Sequence, residues 1–134
     1  MSGRGNAMRS ALVVDDSAVI RKVARRIFET EDFAVTDVED GAKALAACEG
    51  GMPDVILLDW NMPNMDGYEF LKLLRQTPGG ERPKVLFCTT ENDVGAIARA
   101  LHAGADEYIM KPFDRSILTN KLEQVGLAAS AEAA

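Results

Sequence analysis

Four short apolar stretches of this chain give way to side chains that can do chemistry. Ala11-Leu12-Val13-Val14 runs into Asp15-Asp16-Ser17, and Val55-Ile56-Leu57-Leu58 runs into Asp59. The stretch from Lys84 to Cys88 ends in Thr89, and Glu107 to Met110 leads into Lys111-Pro112. If these ends meet, three carboxylates crowd together. Two like charges ~4 Å apart repel by about 4 kcal/mol at an effective dielectric of ~20. An all-oxygen carboxylate site suits a hard divalent cation, and Mg2+ in particular combines a few carboxylates with water and a phosphate oxygen. Lys111 adds a compact positive charge and Thr89 a hydroxyl donor. The chemistry this set fits is receipt of a phosphoryl group on Asp59, with metal and ammonium neutralising the charge that develops. Any one of the acids alone would pass as a helix cap or turn former. Acids at two ends, with Thr and Lys at two more, go beyond capping.

The elements that must position these residues can be read from the pattern. Val55 to Leu58 is uniformly hydrophobic, too short for a helix, and flanked by Gly50-Gly51-Met52-Pro53 and by a polar turn ending at Gly67. That is the look of a strand buried on both faces. Asp59 then sits where the strand leaves the core, at the edge from which open α/β sheets present their chemistry. Further strands are expected over 11–14, 33–39, 84–89 and 107–110. Ser17 or Asp16 is placed to cap a first helix, with Ile20, Val23, Ala24, Ile27 and Phe28 inward and Arg21, Lys22, Arg25 and Arg26 on the other face. Other helices are expected over 42–48, over 68–75 with Phe70, Leu71 and Leu74 inward, over 93–103 closed by Gly104, and over 115–125 stopped near Gly126. Thr77 to Pro83 reads as an exposed loop of no evident purpose.

Strands alternating with helices predict an α/β fold, a doubly wound five-stranded parallel sheet with five helices and right-handed crossovers. In a flavodoxin-like sheet of order 2-1-3-4-5, strands one and three are neighbours at the switch point, and Asp15, Asp16 and Asp59 converge. That order is adopted with the fold class; the periodicity does not yield it.

The 134 residues are expected to make one domain over 10–127, with a flexible leader over 1–9, a disordered tail over 128–134 and no output domain. A hydrophobic content of 47% and a charged content of 27% are those of a soluble globular protein. No apolar run approaches the ~20 residues that span a bilayer, and the N-terminus lacks the apolar core of a secretory signal. A cytoplasmic location and no membrane insertion are expected. A net charge of −6 argues against nucleic-acid binding, which needs a basic face. Cys48 and Cys88 make neither a disulfide framework nor a metal pattern, and Cys88 reads as a small buried hydrophobe. His102 has no metal partner in the sequence and reads as a surface or helix-end residue.

With Asp15-Asp16-Ser17, Asp59 with Met62-Pro63 and Gly67, Thr89, and Lys111-Pro112-Phe113 in place, the chain from Ala11 to Leu127 closely resembles the receiver domain of bacterial two-component response regulators. The stretch Asp59-Trp60-Asn61-Met62-Pro63-Asn64-Met65-Asp66-Gly67 looks most like the single-domain, CheY-like chemotaxis regulators. The resemblance implies that Asp59 accepts phosphate from a phosphohistidine on a histidine kinase or histidine phosphotransfer protein. It implies Mg2+ held by Asp16, Asp59 and the main-chain carbonyl of Asn61, with Asp15 acting through water. It also implies Lys111 on the phosphoryl oxygens, a cis bond before Pro112, and Thr89 with Tyr108 as a switch pair. The responding surface would be the fourth helix, fifth strand and fifth helix, docking a downstream protein target. Asn61 and Glu91 fall where this family tunes phosphoryl lifetime. A monomer or weak dimer is expected.

Within that reading the product could drive chemotaxis, pass phosphate onward as a phosphorelay intermediate, or drain it as a sink. A Mg2+-dependent aspartyl phosphohydrolase would use similar residues, but on an Asp-x-Asp motif after the first strand and with a cap domain. A flavin module of like architecture would want a Ser/Thr/Gly phosphate loop where Asp15-Asp16 stand. Arg21, Lys22, Arg25 and Arg26 are either a docking face for the phosphodonor or a solvated helix face. Trp60, beside Asp59, is a ready fluorescence probe.

Overall fold

The computed structural model describes residues 8–62, 64–90 and 94–127. Along the chain it runs β1 (Arg9–Val14), α1 (Ala18–Thr30), β2 (Phe33–Val38), α2 (Gly41–Glu49), β3 (Val55–Asp59), α3 (Gly67–Gln76), β4 (Lys84–Thr89), α4 (Val94–Ala103), β5 (Glu107–Met110) and α5 (Arg115–Gln124). The five strands form one parallel sheet in the order β2-β1-β3-β4-β5, as expected for the flavodoxin-like class.

The apolar alternation of the central strands splits the core into two layers. Ala11, Val13, Val55, Leu57, Leu86, Cys88 and Ile109 face one side, where Ala24, Ile27 and Phe28 of α1 and Leu118 and Leu122 of α5 cover them. Leu12, Val14, Ile56, Leu58, Val85 and Phe87 face the other, against Ala44 and Cys48 of α2, Phe70, Leu71 and Leu74 of α3, and Ala100 of α4. Every residue of β3 is buried, which is why that strand reads as an unbroken apolar run.

Helix starts follow from short acceptor side chains. Ser17 accepts from the Ile20 amide, Asp40 from Lys43, and Asp114 from Ile117. Asp66 opens α3 with a reciprocal capping box to Glu69. Gly67, the first residue of that helix, packs against the sheet edge: a Cβ there would lie 2.6 Å from the Asp59 carbonyl oxygen.

Three details differ from the sequence reading. β1 starts at Arg9, inside the expected leader, because Arg9 pairs with Phe33 and its guanidinium lies 4.8 Å over that ring. Val23, expected inward, is 41% exposed: it lies off the stripe of Ala24, Ile27 and Phe28 that meets the sheet. The 77–83 loop is not simply exposed, since Gly80 and Pro83 are buried. Arg75 organises it, donating to the carbonyls of Gly80 and Pro83 at 2.8 Å and, from the same guanidinium, to Gly104 at 2.7 Å. A Cβ on Gly80 would collide with the Leu74 carbonyl. Asp93, the expected start of the fourth helix, lies outside the described residues, as do 1–7 of the expected leader and the 128–134 tail.

Candidate functional site

Parallel pairing brings the acids together. Val14 of β1 is level with Leu58 of β3, so the next residue on each, Asp15 and Asp59, stand side by side at the carboxyl edge of the sheet. Asp15, Asp16 and Asp59 each offer a carboxylate oxygen within 4.8 Å of the others. Asp15 and Asp59 are buried and Asp16 is exposed. Lys111, one residue past β5, reaches both buried acids: its Nζ lies 2.9 Å from Asp15 Oδ2 and 3.2 Å from Asp59 Oδ1. The Lys111–Pro112 peptide bond is cis.

Electrostatics in this pocket follow from burial and crowding. Burial, reinforced by the charge of Asp15, pushes the Asp59 carboxyl up to about 6. The Lys111 ammonium and the main-chain N–H of Asn61, which donates to Asp59, oppose that rise without cancelling it. For Lys111, burial disfavours the charged form, but the hydrogen bond to Asp15 and the charges of Asp59 and Asp15 outweigh it, and its pKa is raised. Cys88 is level with Asp59 on β4, and burial pushes its thiol up to about 12, so it packs as an inert hydrophobe.

Thr89 ends β4 and is 4% exposed. It lies two residues beyond Phe87, so strand alternation directs it toward the layer under α2, α3 and α4. Tyr108, level with Phe87 on β5, packs against that same layer. Lys121 of α5 stands 4.4 Å over the Tyr108 ring. Asn61 is exposed beside Asp59, and Trp60 is buried edge-on against Phe87 at 4.3 Å. Glu91 and Pro63 lie outside the described residues.

His102 sits exposed in the last turn of α4, away from the acids. The four basic residues of α1 differ in their surroundings. Arg25 pairs with Glu29 and Asp37, Lys22 and Arg26 are exposed, and Arg21 turns back to the site, donating to the Asp15 main-chain carbonyl at 2.8 Å. Sequence reasoning misses that contact. Its signal is spacing: Arg21 lies one turn past the Ser17 cap, and helical side chains lean toward the N-terminus. A cavity of ≈ 430 Å³ beside α3, lined by Asn64, Met65, Glu69, Lys72, Leu73 and Gln76, contains none of the clustered acids or Lys111.

A five-stranded parallel sheet of this order, with acids and a lysine meeting at its carboxyl edge, defines the class of doubly wound α/β domains that carry a polar site at the switch point. The chain matches the response regulator receiver domain over residues 11–123 and belongs to that family. It is similar to chemotaxis protein CheY of Pseudomonas aeruginosa, 32% identical over 115 residues that cover 85% of this chain and 93% of that one. It is similar, too, to CheY-3 of Vibrio cholerae, 33% identical over 90% of this chain and 93% of that one. Among solved structures, Vibrio cholerae CheY4 superposes with a TM-score of 0.85 at 34% identity, covering 89% of this chain and 99% of that chain. No described helix is long and apolar enough to cross a membrane.

Proposed function

We propose that this chain is a phosphorylation switch that accepts a phosphoryl group on Asp59 in a Mg2+-dependent reaction. The observation that carries the reading is the meeting of Asp15, Asp16 and Asp59 within 4.8 Å with Lys111 on two of them. The donor set fits a divalent ion. It is all oxygen, three acids face one ammonium, and burial with the charge of Asp15 holds Asp59 up at about 6 in spite of Lys111. Asp16, Asp59 and the Asn61 main-chain carbonyl would hold Mg2+, with Asp15 acting through water. When bound, the ion supplies charge neutralisation to the phosphoryl oxygens.

The chain's own groups do the rest. An Asp59 carboxylate oxygen forms the new O–P bond as the N–P bond of a phosphohistidine breaks. The imidazole nitrogen keeps the electron pair and takes up a proton. Lys111, already poised between Asp15 and Asp59, transfers its hydrogen bond to a phosphoryl oxygen, and Thr89 donates its hydroxyl to another. Turning the Thr89 hydroxyl toward the phosphoryl group leaves room on the α2–α4 side, into which the Tyr108 ring moves. Two pre-existing states are thereby redistributed.

The surface that responds is α4, β5 and α5, where Val94 at 77% exposure, with Leu101 and Ile117 at 40%, would meet a downstream protein target. The phosphodonor is a histidine kinase or histidine phosphotransfer protein, and the setting is the cytoplasm. The likeness to CheY proteins supports a place in chemotaxis. Asn61 and Glu91 tune how long the phosphoryl group persists.

The test is labelling by a small phosphodonor such as acetyl phosphate, with and without Mg2+, in wild type and Asp59→Asn. Labelling that needs both Asp59 and the metal, with a Trp60 fluorescence change on adding Mg2+ and then beryllofluoride, is the expected result. Equal labelling of Asp59→Asn would overturn the assignment.

A further inference from the structure

Asp15 is held at every polar atom. Its N–H donates to the Val38 carbonyl at 3.1 Å, and its Oδ1 accepts from the Ser17 amide at 2.9 Å. Its Oδ2 faces Lys111 Nζ at 2.9 Å, and its main-chain carbonyl accepts from Arg21 Nη1 at 2.8 Å. The first three contacts use the sheet, the helix cap and the pocket lysine. The fourth recruits a half-buried guanidinium from the side of α1.

The carbonyl that Arg21 grips belongs to the peptide joining Asp15 to Asp16. A peptide unit is planar, so fixing its oxygen fixes its plane and the Cα from which Asp16 projects. Asp16 needs that help. It is exposed, and among the described residues no hydrogen bond or ion pair holds its side chain, although its carboxylate completes the acidic cluster. We infer that Arg21 is a positioning residue for the acidic pocket: by fixing the Asp15–Asp16 peptide it sets Asp16 against Asp59 in the geometry that receives the divalent cation. The inference rests on the metal-and-phosphoryl reading of the pocket and adds to it a residue that the acidic motif does not contain.

The sign of the effect separates this role from a mere nearby charge. Removing a cation beside a cation site strengthens Mg2+ binding if Arg21 acts through its field alone. Removing a positioning group weakens it. Arg21→Met and Arg21→Lys are compared with the full-length wild-type chain by Mg2+ titration of Trp60 fluorescence. Amide hydrogen exchange is followed at Ser17 in the metal-free protein, with Leu57 as the core control. Loss of one hydrogen bond of typical net strength, at a site that is only half-buried, sets the scale at about fivefold.

Arg21→Met is expected to weaken Mg2+ binding about fivefold and to speed Ser17 exchange by a similar factor, with Leu57 unchanged. Arg21→Lys, which can still donate to the carbonyl, is expected to recover most of both. Mg2+ affinity that rises or stays the same in Arg21→Met overturns the positioning role. If the wild-type protein gives no Mg2+ response, the metal reading of the pocket has failed on its own. Ser17 exchange then decides the matter: faster exchange in Arg21→Met upholds Arg21 as the group that fixes this turn, and unchanged exchange removes it.

Discussion

Lys111 and Asp59 lie 52 positions apart in sequence and 3.2 Å apart in space, the ammonium set against a buried carboxylate that it does not fully neutralise. Asp59 stays at about 6, above its ordinary 3.8, because burial and Asp15 together outweigh the lysine. A carboxyl whose folded pKa is raised costs the fold stability once it must give up its proton.

The consequence for stability has a definite sign. Below the ordinary value of 3.8 Asp59 is protonated in both folded and unfolded chains and costs nothing. Stability falls as pH rises from there to about 6, and above that the full cost is present. A carboxyl raised from 3.8 to about 6 can cost at most about 3 kcal/mol. Asp59→Asn should therefore stabilise the metal-free protein by about 2 kcal/mol at pH 7.5 and by much less at pH 4.5. Urea denaturation at the two pH values checks this, and an equal gain at both would contradict it.

Lys111→Met removes the cation that the structure places on both buried acids, from a side chain that is 14% exposed. Breaking a buried pair in this way costs about 3 kcal/mol at pH 7.5. With the lysine's hydrogen bond and charge gone, the Asp59 pKa climbs further, so the pH range over which stability falls still begins near 3.8 but extends upward. Carboxyl-carbon NMR of Asp59 reads the titration directly. A downward shift would show that the pair is not what holds Asp59 in check.

Gly67 is required by space. A Cβ at that position would sit 2.6 Å from the Asp59 carbonyl and 3.0 Å from the Trp60 Cα, both backbone atoms. Gly67→Ala must push the start of α3 away from the strand end, at a cost of about 2–3 kcal/mol. The Trp60 emission maximum should move to longer wavelength as the ring loses cover. A variant with native stability and native emission would argue against the close approach.

Arg75 ties the end of α3 to the 77–83 loop, to Gly104 and, at 3.2 Å, to Asp106. Arg75→Ala leaves several carbonyls unpaired and should cost about 3 kcal/mol in thermal or urea unfolding. Arg75→Lys should recover little, because a single ammonium cannot reproduce a planar fork with five donors. Full rescue by lysine would show that charge, rather than geometry, matters at this point.

The strands, the helices and the groups that stand at the strand ends are legible because each is a local event. An unbroken apolar run such as Val55 to Leu58 has only one economical home, a strand covered on both faces, and whatever follows it emerges at the sheet edge. Helical spacing in Phe70, Leu71 and Leu74 placed α3, and all three are buried. Side chains that point across elements were not legible in the same way. Arg21 was one of four basic residues on a helix face, and only the return of α1 over β1 turned it, and not its neighbours, toward Asp15.

Tertiary structure alone decided the strand order, and with it which acids meet. Nothing local distinguishes β1 beside β3 from β1 beside any other strand; the order depends on how the crossovers pack both faces at once. The same holds for the 77–83 loop, which reads as solvent-exposed until the Arg75 guanidinium closes on its carbonyls. Residue types and spacing along the chain determined what chemistry the pocket could hold, because they set which groups leave the core at strand ends. The distances that make it one pocket, with Lys111 between two carboxylates, arise from contacts between residues far apart in sequence, and those exist only once the sheet is assembled.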